Sequence, residues 1–372
     1  MDQHRERILL ITQDFPPIHG GIQTYCYQLA LSLHQIGYDI EVLCPGKACE
    51  FDQKSPFKIH RWNLPTSFLF IGLWALPLWI KSRSFDRILY GQWQSAIWLN
   101  LPFFKSKKLK YNSMVHGREL LTSVFNPFTS YLARKTLNQM DVCFPNSNAV
   151  QDLLTQTVGV KSTVKVNFPG VNPDAFYPLD ALEEKKKRGW ENSKVLLTVT
   201  RMVARKNIIS VIQAMPLIVA EIPNALYVIG GRGPESEALQ KAVAESPVSQ
   251  NILFLGTLEN HEILPIYNAA DVSILVSEQN ESDIEGFGIV YLEAGACEKP
   301  VVAANTGGVS DAVLHEKTGL LIQNPLDLNQ IAQAVIRLFK NTDEAQTMGH
   351  ASRARILNEL TWEKVAQNYF NS

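Results

Sequence analysis

The sequence predicts an α/β protein with two doubly wound parallel sheets in tandem. Short apolar runs alternate with longer helical patterns along the whole chain, which is typical of β-α-β units. A length of 372 residues is enough for about two or three domains, and 46% hydrophobic residues can form a large core. Three prolines and a glycine at 169–178 interrupt the pattern near mid-chain. We therefore expect two Rossmann-like domains that meet at this segment.

Seven strands and one long helix are predicted in the first half. The helix covers 22–36. Its apolar residues Tyr25, Leu29 and Leu33 recur on one face, as a helix buried along one side requires. The predicted strands are Arg7–Thr12, Asp39–Leu43, Lys58–Trp62, Arg87–Gly91, Lys110–His116, Val142–Pro145 and Thr163–Phe168.

The second half repeats this alternation. The predicted strands are Val195–Thr200, Ala225–Ile229, Ile252–Leu255, Val272–Val276, Pro300–Ala304 and Gly319–Ile322. The predicted helices are Ile208–Ile222, Glu235–Ala244, Glu262–Ala269, Gly288–Glu298 and Leu328–Phe339. Open parallel sheets bind ligands beyond the carboxyl ends of their strands. We therefore expect two domains that face each other across a cleft, with the functional site in that cleft.

The net charge of −1 hides an asymmetry between the two halves. Residues 1–170 carry 18 basic and 11 acidic side chains, a net +7, whereas the remainder carries 17 and 25, a net −8. A basic first half favours an anionic partner, such as phosphate groups or lipid headgroups. An unselected drift of surface charge explains the asymmetry equally well. We expect no nucleic-acid partner.

Two features bear on the location of the protein. The five cysteines form no Cys-x-x-Cys pair and are odd in number, which favours a reduced, cytoplasmic interior. The N-terminal residues lack the long apolar run of a signal peptide. A cytoplasmic protein is therefore expected.

The apolar segment Leu64–Ile80 is 17 residues long and contains two prolines, so a buried or interfacial helix fits better than a membrane span. Tryptophans and basic residues at its end are typical of a segment on a membrane surface. A lysine cluster further along the chain would reinforce such a contact, although a solvated turn explains it too. These residues are Trp74, Trp79, Lys81, Arg83, Lys105, Lys107, Lys108 and Lys110. We expect peripheral contact with an anionic membrane at its cytoplasmic face.

The loop after the first predicted strand ends in two adjacent glycines at a helix start. Gly20 and Gly21 allow backbone N–H groups to approach an anion, and the helix N-terminus adds partial positive charge. A plain tight turn explains two glycines equally well. The loop is not a P-loop, because the pattern G-x-x-x-x-G-K-[ST] does not occur in the chain.

A basic loop follows the first strand of the second half. Arg201 and Lys206 are five residues apart in a loop that enters a helix, so both can converge on one diphosphate. Arg205 is expected to be solvated. A basic loop is also common on ordinary protein surfaces, and this pattern by itself decides nothing.

The segment Glu285–Glu293 is the most informative motif. A helix is predicted to start near Phe287 or Gly288, and the glycines there leave its free N–H groups open to an oxyanion. Glu293 lies roughly 8–9 Å further along, where the ribose of a nucleotide bound at this end would lie. Glu285 can accept hydrogen bonds from sugar hydroxyls. A capping carboxylate with a surface glutamate would not explain why the helix is so apolar.

Taken together, the motifs and their order along the chain resemble those of the retaining nucleotide-sugar glycosyltransferases of family 4, which have the GT-B fold. The resemblance covers essentially the whole chain. It is greatest to the branch that includes phosphatidylinositol mannosyltransferases. The motifs that carry it are Pro16–Gly21, His116–Glu119, the Pro-Gly-Val-Asn sequence at 169–172, Arg201 with Lys206, Gly230–Pro234, Glu285 with Glu293, Gly307-Gly308, Thr318–Leu321 and Thr361–Glu363.

The resemblance implies an acceptor domain at 1–170, a nucleotide-sugar domain at 171–355 and a terminal helix at 356–372 that packs back on the first domain. It implies a catalytic set of four residues: His116 beside the anomeric centre, Arg201 and Lys206 on the diphosphate, and Glu285 on the sugar. The implied donor-binding residues are Arg201, Lys206, Glu285, Gly20, Gly21, Gly231, Leu258, Gly286, Phe287, Gly288, Ile289, Val290 and Glu293. Asp14, His19 and Arg118 are expected on the acceptor side.

The implied reaction is retaining transfer of mannose or another hexose from GDP-mannose or a UDP-hexose. The implied acceptor is a hydroxyl of a glycan or lipid-linked molecule, in cell-envelope polysaccharide or glycolipid synthesis. We expect no cofactor and no metal, because the chain has no Asp-x-Asp motif and Asp283-Ile-Glu285 is the nearest approach. Arg232, Arg118 and Asp311 depart from the family pattern, and they leave the donor base and the acceptor open.

Three other functions remain open at this stage. A dinucleotide-dependent dehydrogenase is disfavoured, because Gly231-Arg-Gly233 begins like G-x-G-x-x-G but Ser236 replaces the last glycine. A non-catalytic nucleotide-sugar-binding protein would bind the donor without turnover. A nucleotide-sugar epimerase would consume the donor without an acceptor.

Overall fold

The computed structural model describes residues 5–18, 20–62, 80, 83–101, 105–280 and 283–370. The chain divides into two units, which are Met1–Gly170 with Trp362–Ser372, and Val171–Thr361. Within the described residues each unit contains one parallel sheet. Both predicted doubly wound sheets are therefore confirmed.

The sheet of the first unit has seven strands in its described part, in the order β3-β2-β1-β4-β5-β6-β7. The strands are β1 Arg7–Ile11, β2 Asp39–Pro45, β3 Lys58–Trp62, β4 Arg87–Tyr90, β5 Lys110–Val115, β6 Val142–Pro145 and β7 Thr163–Val164. The helices are α1 Gly21–Gln35, α2 Glu50–Lys54, α3 Arg118–Val124, α4 Pro127–Leu137 and α5 Asn148–Asp152, with a 3₁₀ helix at Trp93–Asn100 and a π-helical turn at Leu153–Thr157. Ile8, Leu9 and Leu10 are fully buried, because helices cover both faces of such a sheet.

The sheet of the second unit has the order β10-β9-β8-β11-β12-β13. The strands are β8 Lys194–Val199, β9 Ala225–Gly230, β10 Ile252–Gly256, β11 Val272–Leu275, β12 Val301–Ala304 and β13 Gly319–Ile322. The helices are α6 Ala181–Lys186, α7 Ile208–Glu221, α8 Ser236–Ala244, α9 Asn260–Ala269, α10 Ile289–Ala296, α11 Val309–Ala312, α12 Leu328–Lys340 and α13 Thr342–Glu359, with 3₁₀ turns at Ala204–Lys206 and Ser249–Asn251. Apolar faces of α7 and α12 pack on this sheet to form its core.

Strand order reverses beside the first strand of each sheet. β1 pairs with β2 on one side and with β4 on the other, while β8 pairs with β9 and β11. The connections leave such a point on opposite faces, so a crevice opens there at the carboxyl ends of the strands. The loops after β1 and β4, and those after β8 and β11, therefore occupy the positions where a ligand is expected.

The last helix, α14 (Trp362–Asn368), packs on α1 within the first unit. The rings of Trp362 and Tyr25 meet edge to face at 5.2 Å between centroids, and the hydroxyls of Tyr25 and Tyr369 are 2.7 Å apart. Helix α13 belongs to the second unit. The terminal segment expected at 356–372 is therefore divided between the units, at Thr361 and Trp362.

The predicted strand bounds agree with the structure to within two residues, with one exception. The strand expected over 163–168 is only Thr163–Val164. Pairing continues on alternate residues beyond it, since the N–H groups of Lys165 and Asn167 donate to carbonyls of β6. Of the apolar segment expected at 64–80, only Ile80 is described, and it is buried. Residues 64–79, with Trp74 and Trp79, and Lys81 lie outside the described residues.

No helix in the described part of the chain is both long enough and apolar enough to span a membrane. The five cysteines are free thiols, and all except Cys49 are buried.

Candidate active site

A cluster of buried charges lies where the loops after β8 and β11 meet. One oxygen of Glu285, Oε2, accepts hydrogen bonds from Lys206 Nζ at 2.5 Å, from Arg205 Nη1 at 2.5 Å and from Ser277 Oγ at 3.1 Å. Arg205 Nε is 3.1 Å from a carboxylate oxygen of Asp283. The two strands involved flank the switch point of the second sheet, so the cluster occupies the expected ligand position.

Arg205 corrects a prediction from sequence. It was expected to be solvated, but its side chain is only 16% exposed and it joins two carboxylates. Asp283 and Glu285 are two residues apart, and alternate residues of an extended segment point to the same side. One guanidinium can therefore contact both, as its fork of donors allows.

The electrostatics of the cluster are set by its two cations. Burial alone would raise the pKa of Glu285, but Lys206 and Arg205 outweigh this effect and lower the pKa to about 2. Burial lowers the pKa of the Lys206 ammonium, while its contact with Glu285 opposes that shift. Glu285 is consequently ionised at neutral pH and is held by three donors in a fixed position.

Two glycines allow the surrounding loops to approach closely. Gly231 has φ +126°, and a Cβ on it would lie 1.9 Å from the carbonyl oxygen of Thr200. Gly307 has φ +54°, and a Cβ there would lie 2.4 Å from the carbonyl oxygen of Glu285. Any larger side chain at either position would push away a loop that carries the charged cluster. Gly231, which was expected to bind the donor, thus has a packing reason to be glycine.

Arg201 and Lys206 lie in the same loop in different environments. Lys206 is buried against Glu285, whereas Arg201 is exposed. Among the described residues, the guanidinium of Arg201 has no ion-pair partner. Arg201 is therefore the cation of this loop that is open to an added anion.

Leu258, another predicted donor-binding residue, lies after β10 and packs over Gly230.

Helix α10 begins at Ile289, close to the predicted start. Gly288 precedes it with φ +90°, and Phe287 is buried. The free N–H groups of the first turn, at Gly288, Ile289 and Val290, are typical of an anion-binding helix end. Gly286 separates this turn from the charged cluster at Glu285. The sequence therefore places the cluster and the helix N-terminus side by side along the chain.

Glu293 lies on α10, partly buried, one turn beyond these amides. Its Oε2 accepts a hydrogen bond from the Tyr267 hydroxyl at 2.9 Å. Burial raises the pKa of Glu293 to about 6, and the bond from Tyr267 opposes the shift. Its other oxygen, Oε1, accepts no hydrogen bond from the described residues. An acceptor atom is thus available for a hydroxyl group of a ligand.

In the first unit, His116 follows β5 and is buried. Its Nε2 is 3.0 Å from the carbonyl oxygen of Gly91. A carbonyl can only accept, so Nε2 carries a proton. The imidazole stacks edge to face on Tyr25 at 5.0 Å, and burial lowers its pKa. The ring is therefore neutral at physiological pH, with an acceptor lone pair on Nδ1.

The other predicted residues of the first unit lie around its own switch point. The Asp14 carboxylate follows β1 and accepts hydrogen bonds from the side-chain amides of Gln23, at 2.8 Å, and Gln92. Gly20 is extended, and a Cβ on Gly21 would meet nothing within 4 Å, so the start of α1 is open. Arg118 is exposed at the start of α3. His19 lies outside the described residues.

Sequence reasoning missed four residues that shape these sites. They are Arg205, Ser277 and Tyr267 in the second unit, and Tyr25 in the first. Only Arg205 lies in a segment that the sequence singles out, the basic loop that contains Arg201 and Lys206. The others are donors or ring contacts that depend on tertiary packing.

No group of three or more His, Cys, Asp or Glu side chains that could hold a metal ion is found in the described ranges.

This architecture, with charged groups at the switch point of a parallel sheet, is typical of nucleotide-binding α/β proteins. Comparisons with known proteins identify the family. Residues 19–175 match the family described as "Glycosyltransferase Family 4", and residues 180–355 match "Glycosyl transferases group 1". The chain belongs to family 4 of the glycosyltransferases, as its motifs predicted.

Full-length relatives agree with this assignment. The chain is 29% identical to a GDP-mannose-dependent monoacylated alpha-(1-6)-phosphatidylinositol monomannoside mannosyltransferase of Corynebacterium glutamicum, with 98% of this chain and 97% of the relative covered. Sucrose-phosphate synthase from Thermosynechococcus elongatus superposes with a TM-score of 0.80 at 22% identity, covering 99% and 98% of the two chains. Anabaena HepE in complex with UDP and glucose has a TM-score of 0.80 at 18% identity, with 99% of each chain covered. The chain has the GT-B fold.

Proposed function

We propose that this glycosyltransferase transfers a mannosyl group from GDP-mannose to a hydroxyl of a lipid-linked glycan, with retention of the anomeric configuration. The observation that carries the proposal is the Lys206–Glu285–Arg205 cluster, which lies beside the open N-terminus of α10. GDP-mannose and a phosphatidylinositol mannoside are favoured because the relative from Corynebacterium bears those names. A UDP-hexose is the alternative donor.

The charges of the second unit suit a departing diphosphate. When the bond between the anomeric carbon and the phosphate oxygen breaks, its electron pair stays on the phosphate. Arg201, Lys206 and the first amides of α10 would stabilise that charge, because fixed dipoles and cations need no reorganisation during the reaction. Glu285 would accept hydrogen bonds from sugar hydroxyls, and Glu293 from the ribose.

The acceptor hydroxyl would attack the anomeric carbon from the face that the phosphate leaves. Its proton would pass to the departing phosphate oxygen, so no separate base is required and the configuration is retained. In this proposal His116 is not an acid, since its neutral ring already uses the Nε2 proton on Gly91. Nδ1 would accept a hydrogen bond from a hydroxyl of the transferred sugar. Asp14 and Arg118 would border the acceptor.

We also propose that transfer needs no metal ion. Asp283 and Glu285, the nearest approach to a metal-binding Asp-x-Asp pair, are held by Arg205 and Lys206. The cations of the protein would then neutralise the diphosphate. Transfer should continue at an unchanged rate after exhaustive chelation, and restoration by added Mg²⁺ or Mn²⁺ would contradict the proposal.

A thermal-shift screen over nucleotide diphosphate sugars tests the donor. A ligand that binds only the folded state raises the melting temperature by mass action. We expect GDP-mannose to give the largest shift, and the Arg201→Ala variant to lose most of it. No shift with any nucleotide sugar would refute donor binding. Binding without transfer across a panel of glycan and glycolipid acceptors would instead favour a non-catalytic protein, and donor consumption without an acceptor an epimerase.

Product analysis tests the stereochemistry. The anomeric proton of the product, observed by NMR before any equilibration, should report the same configuration as the donor. The opposite configuration would rule out same-face transfer.

We place the reaction at the cytoplasmic face of a membrane, since a lipid-linked acceptor would be anchored there and the donor is water-soluble.

A further inference from the structure

We infer that the face formed by α3 and α4 of the first unit docks on an anionic lipid surface. Three aromatic side chains on this face are strongly exposed: Phe125 at 56%, Phe128 at 70% and Tyr131 at 51%. No other Phe, Tyr or Trp side chain in the described part of the chain is more than half exposed, the next being Tyr177 at 39%. All three lie in one turn and one helix. Isolated exposed aromatics are ordinary, but a cluster indicates an interaction surface.

The aromatic face is held rigidly. Asn126 caps α4, since its Oδ1 accepts from the N–H of Phe128 at 2.9 Å. The hydroxyl of Thr129 donates to the carbonyl of Ser123 at 2.8 Å and ties α4 to α3. Phe128 and Tyr131 are three residues apart and thus neighbours on the helix surface. Their exposure is a property of an ordered helix pair.

Basic groups continue the same face toward the end of α4. Arg134 and Lys135 are exposed, and Lys135 is four residues beyond Tyr131. Lys105 Nζ donates to the carbonyl of Gln139 at 2.6 Å, which places an ammonium just past the helix C-terminus. Helix α4 contains no acidic residue. Aromatic groups at one end with basic groups at the other are typical of a surface that inserts rings among anionic headgroups.

The inference deepens the proposed function, since it names the surface by which a lipid-linked acceptor would be approached. Helix α3 starts at Arg118, two residues after His116. A membrane against this face would thus lie alongside the loop that carries the proposed sugar-positioning histidine. Lipid binding itself does not depend on the transfer reaction.

Flotation with vesicles tests the surface. The probe is phosphatidylcholine vesicles with and without phosphatidylglycerol. We expect the wild type to bind the anionic vesicles and to lose affinity as salt is raised. The variant F125S/F128S/Y131S should bind at least about ten-fold more weakly, because each ring removed forfeits buried apolar area. R134Q/K135Q should lose the preference for anionic vesicles.

A matched control comes from the second unit, where Leu182 and Leu326 are exposed at 51% and 57%. L182S/L326S removes exposed apolar groups away from the α3–α4 face and should bind vesicles normally. Vesicle binding by the triple variant equal to the wild type would overturn the inference. A second result would also overturn it: the wild type is a dimer, the triple variant is a monomer, and both bind vesicles equally well. The face would then join two copies of the chain.

The donor-induced thermal shift separates this inference from the proposed function. In one outcome, the triple variant loses vesicle binding but keeps the thermal shift with GDP-mannose and transfer to a short-chain soluble acceptor. That result would support both the docking surface and the proposed function. If vesicle binding follows the aromatic face but no nucleotide sugar binds, the proposed function fails and the docking surface remains.

Discussion

The two units share one topology, but the side chains at their switch points differ in charge. In the second unit, the loops beside β8 and β11 hold an ionised carboxylate between a buried lysine and a partly buried arginine, with an exposed arginine nearby. In the first unit, the loops beside β1 and β4 hold a carboxylate between two neutral amides, and the adjoining histidine is uncharged. We propose that the same backbone frame serves charge stabilisation at one site and hydrogen-bond positioning at the other.

This difference fits a reaction that involves two chemically different groups, a charged diphosphate and neutral hydroxyls. A diphosphate that leaves needs fixed positive charge, and burial makes such charge more effective. A sugar or acceptor hydroxyl needs directional acceptors and donors, which neutral groups provide without electrostatic competition. The fold alone permits either chemistry, so the assignment depends on the side chains at each switch point.

Removing the cations of the second unit should have the largest effect. We expect Arg201→Ala and Lys206→Ala each to lower kcat/KM by about 10²-fold or more, because each removes charge stabilisation of the leaving group. Only Lys206→Ala should lower the melting temperature, since Arg201 is exposed while Lys206 pairs with a buried carboxylate.

The measurement is steady-state transfer from GDP-mannose, with the thermal midpoint of each variant recorded alongside. Lys241→Ala is the control, because Lys241 is an exposed lysine of the same unit on α8. A near-normal rate in either variant would remove that cation from the leaving-group role.

Arg205 offers a smaller and more selective test. We expect Arg205→Ala to reduce transfer by about ten-fold, because Glu285 would keep Lys206 but lose the guanidinium that also holds Asp283. Arg205→Lys should recover part of the loss, since an ammonium can reach one carboxylate but lacks the fork to bridge two.

A deoxy-sugar donor distinguishes positioning from a general loss of structure. In the wild type, removing the hydroxyl that Glu285 binds should slow transfer strongly. In Arg205→Ala that penalty should shrink, because Glu285 is no longer fixed, and the two changes would be less than additive. Strict additivity would show that Arg205 does not act through Glu285.

Much of the fold was predictable, because parallel strands buried on both faces are near-continuous apolar runs. Val195–Thr200 and Ala225–Ile229 stand out for this reason, and they were located to within one residue. The helices over 118–137 were not predicted, because Phe125, Phe128 and Tyr131 leave apolar groups on the outside and break the one-sided pattern. The residues that blurred the helical periodicity are thus the ones that form the proposed docking face.

The candidate site was predictable in its motif residues and not in its contacts. Lys206, Glu285 and Glu293 were selected from spacing relative to strands and a helix start. Arg205 was misjudged, because a sequence gives no distance between the loops after β8 and β11, which are about 80 residues apart. Likewise, the pairing of Tyr267 with Glu293 depends on how α9 packs beside α10.

The pH dependence of donor binding is the smallest expected effect and separates the two units. Burial raises the pKa of Glu293 to about 6, whereas burial lowers the pKa of His116, so we expect Glu293 to titrate near pH 6 and His116 to titrate at a lower pH than a free imidazole. Ribose hydroxyls donate to a carboxylate better when it is ionised, so donor affinity should rise with pH through about 6 and then level off. Between about pH 7 and pH 5 we expect a loss of about five-fold. Glu293→Gln should abolish the dependence while His116→Gln preserves it, as measured by calorimetric titration with GDP-mannose. The opposite outcome would be loss of the rise in affinity near pH 6 in His116→Gln and its persistence in Glu293→Gln. The neutral histidine and the ribose-binding glutamate would then both be misassigned, and the contrast between the two switch points would fail.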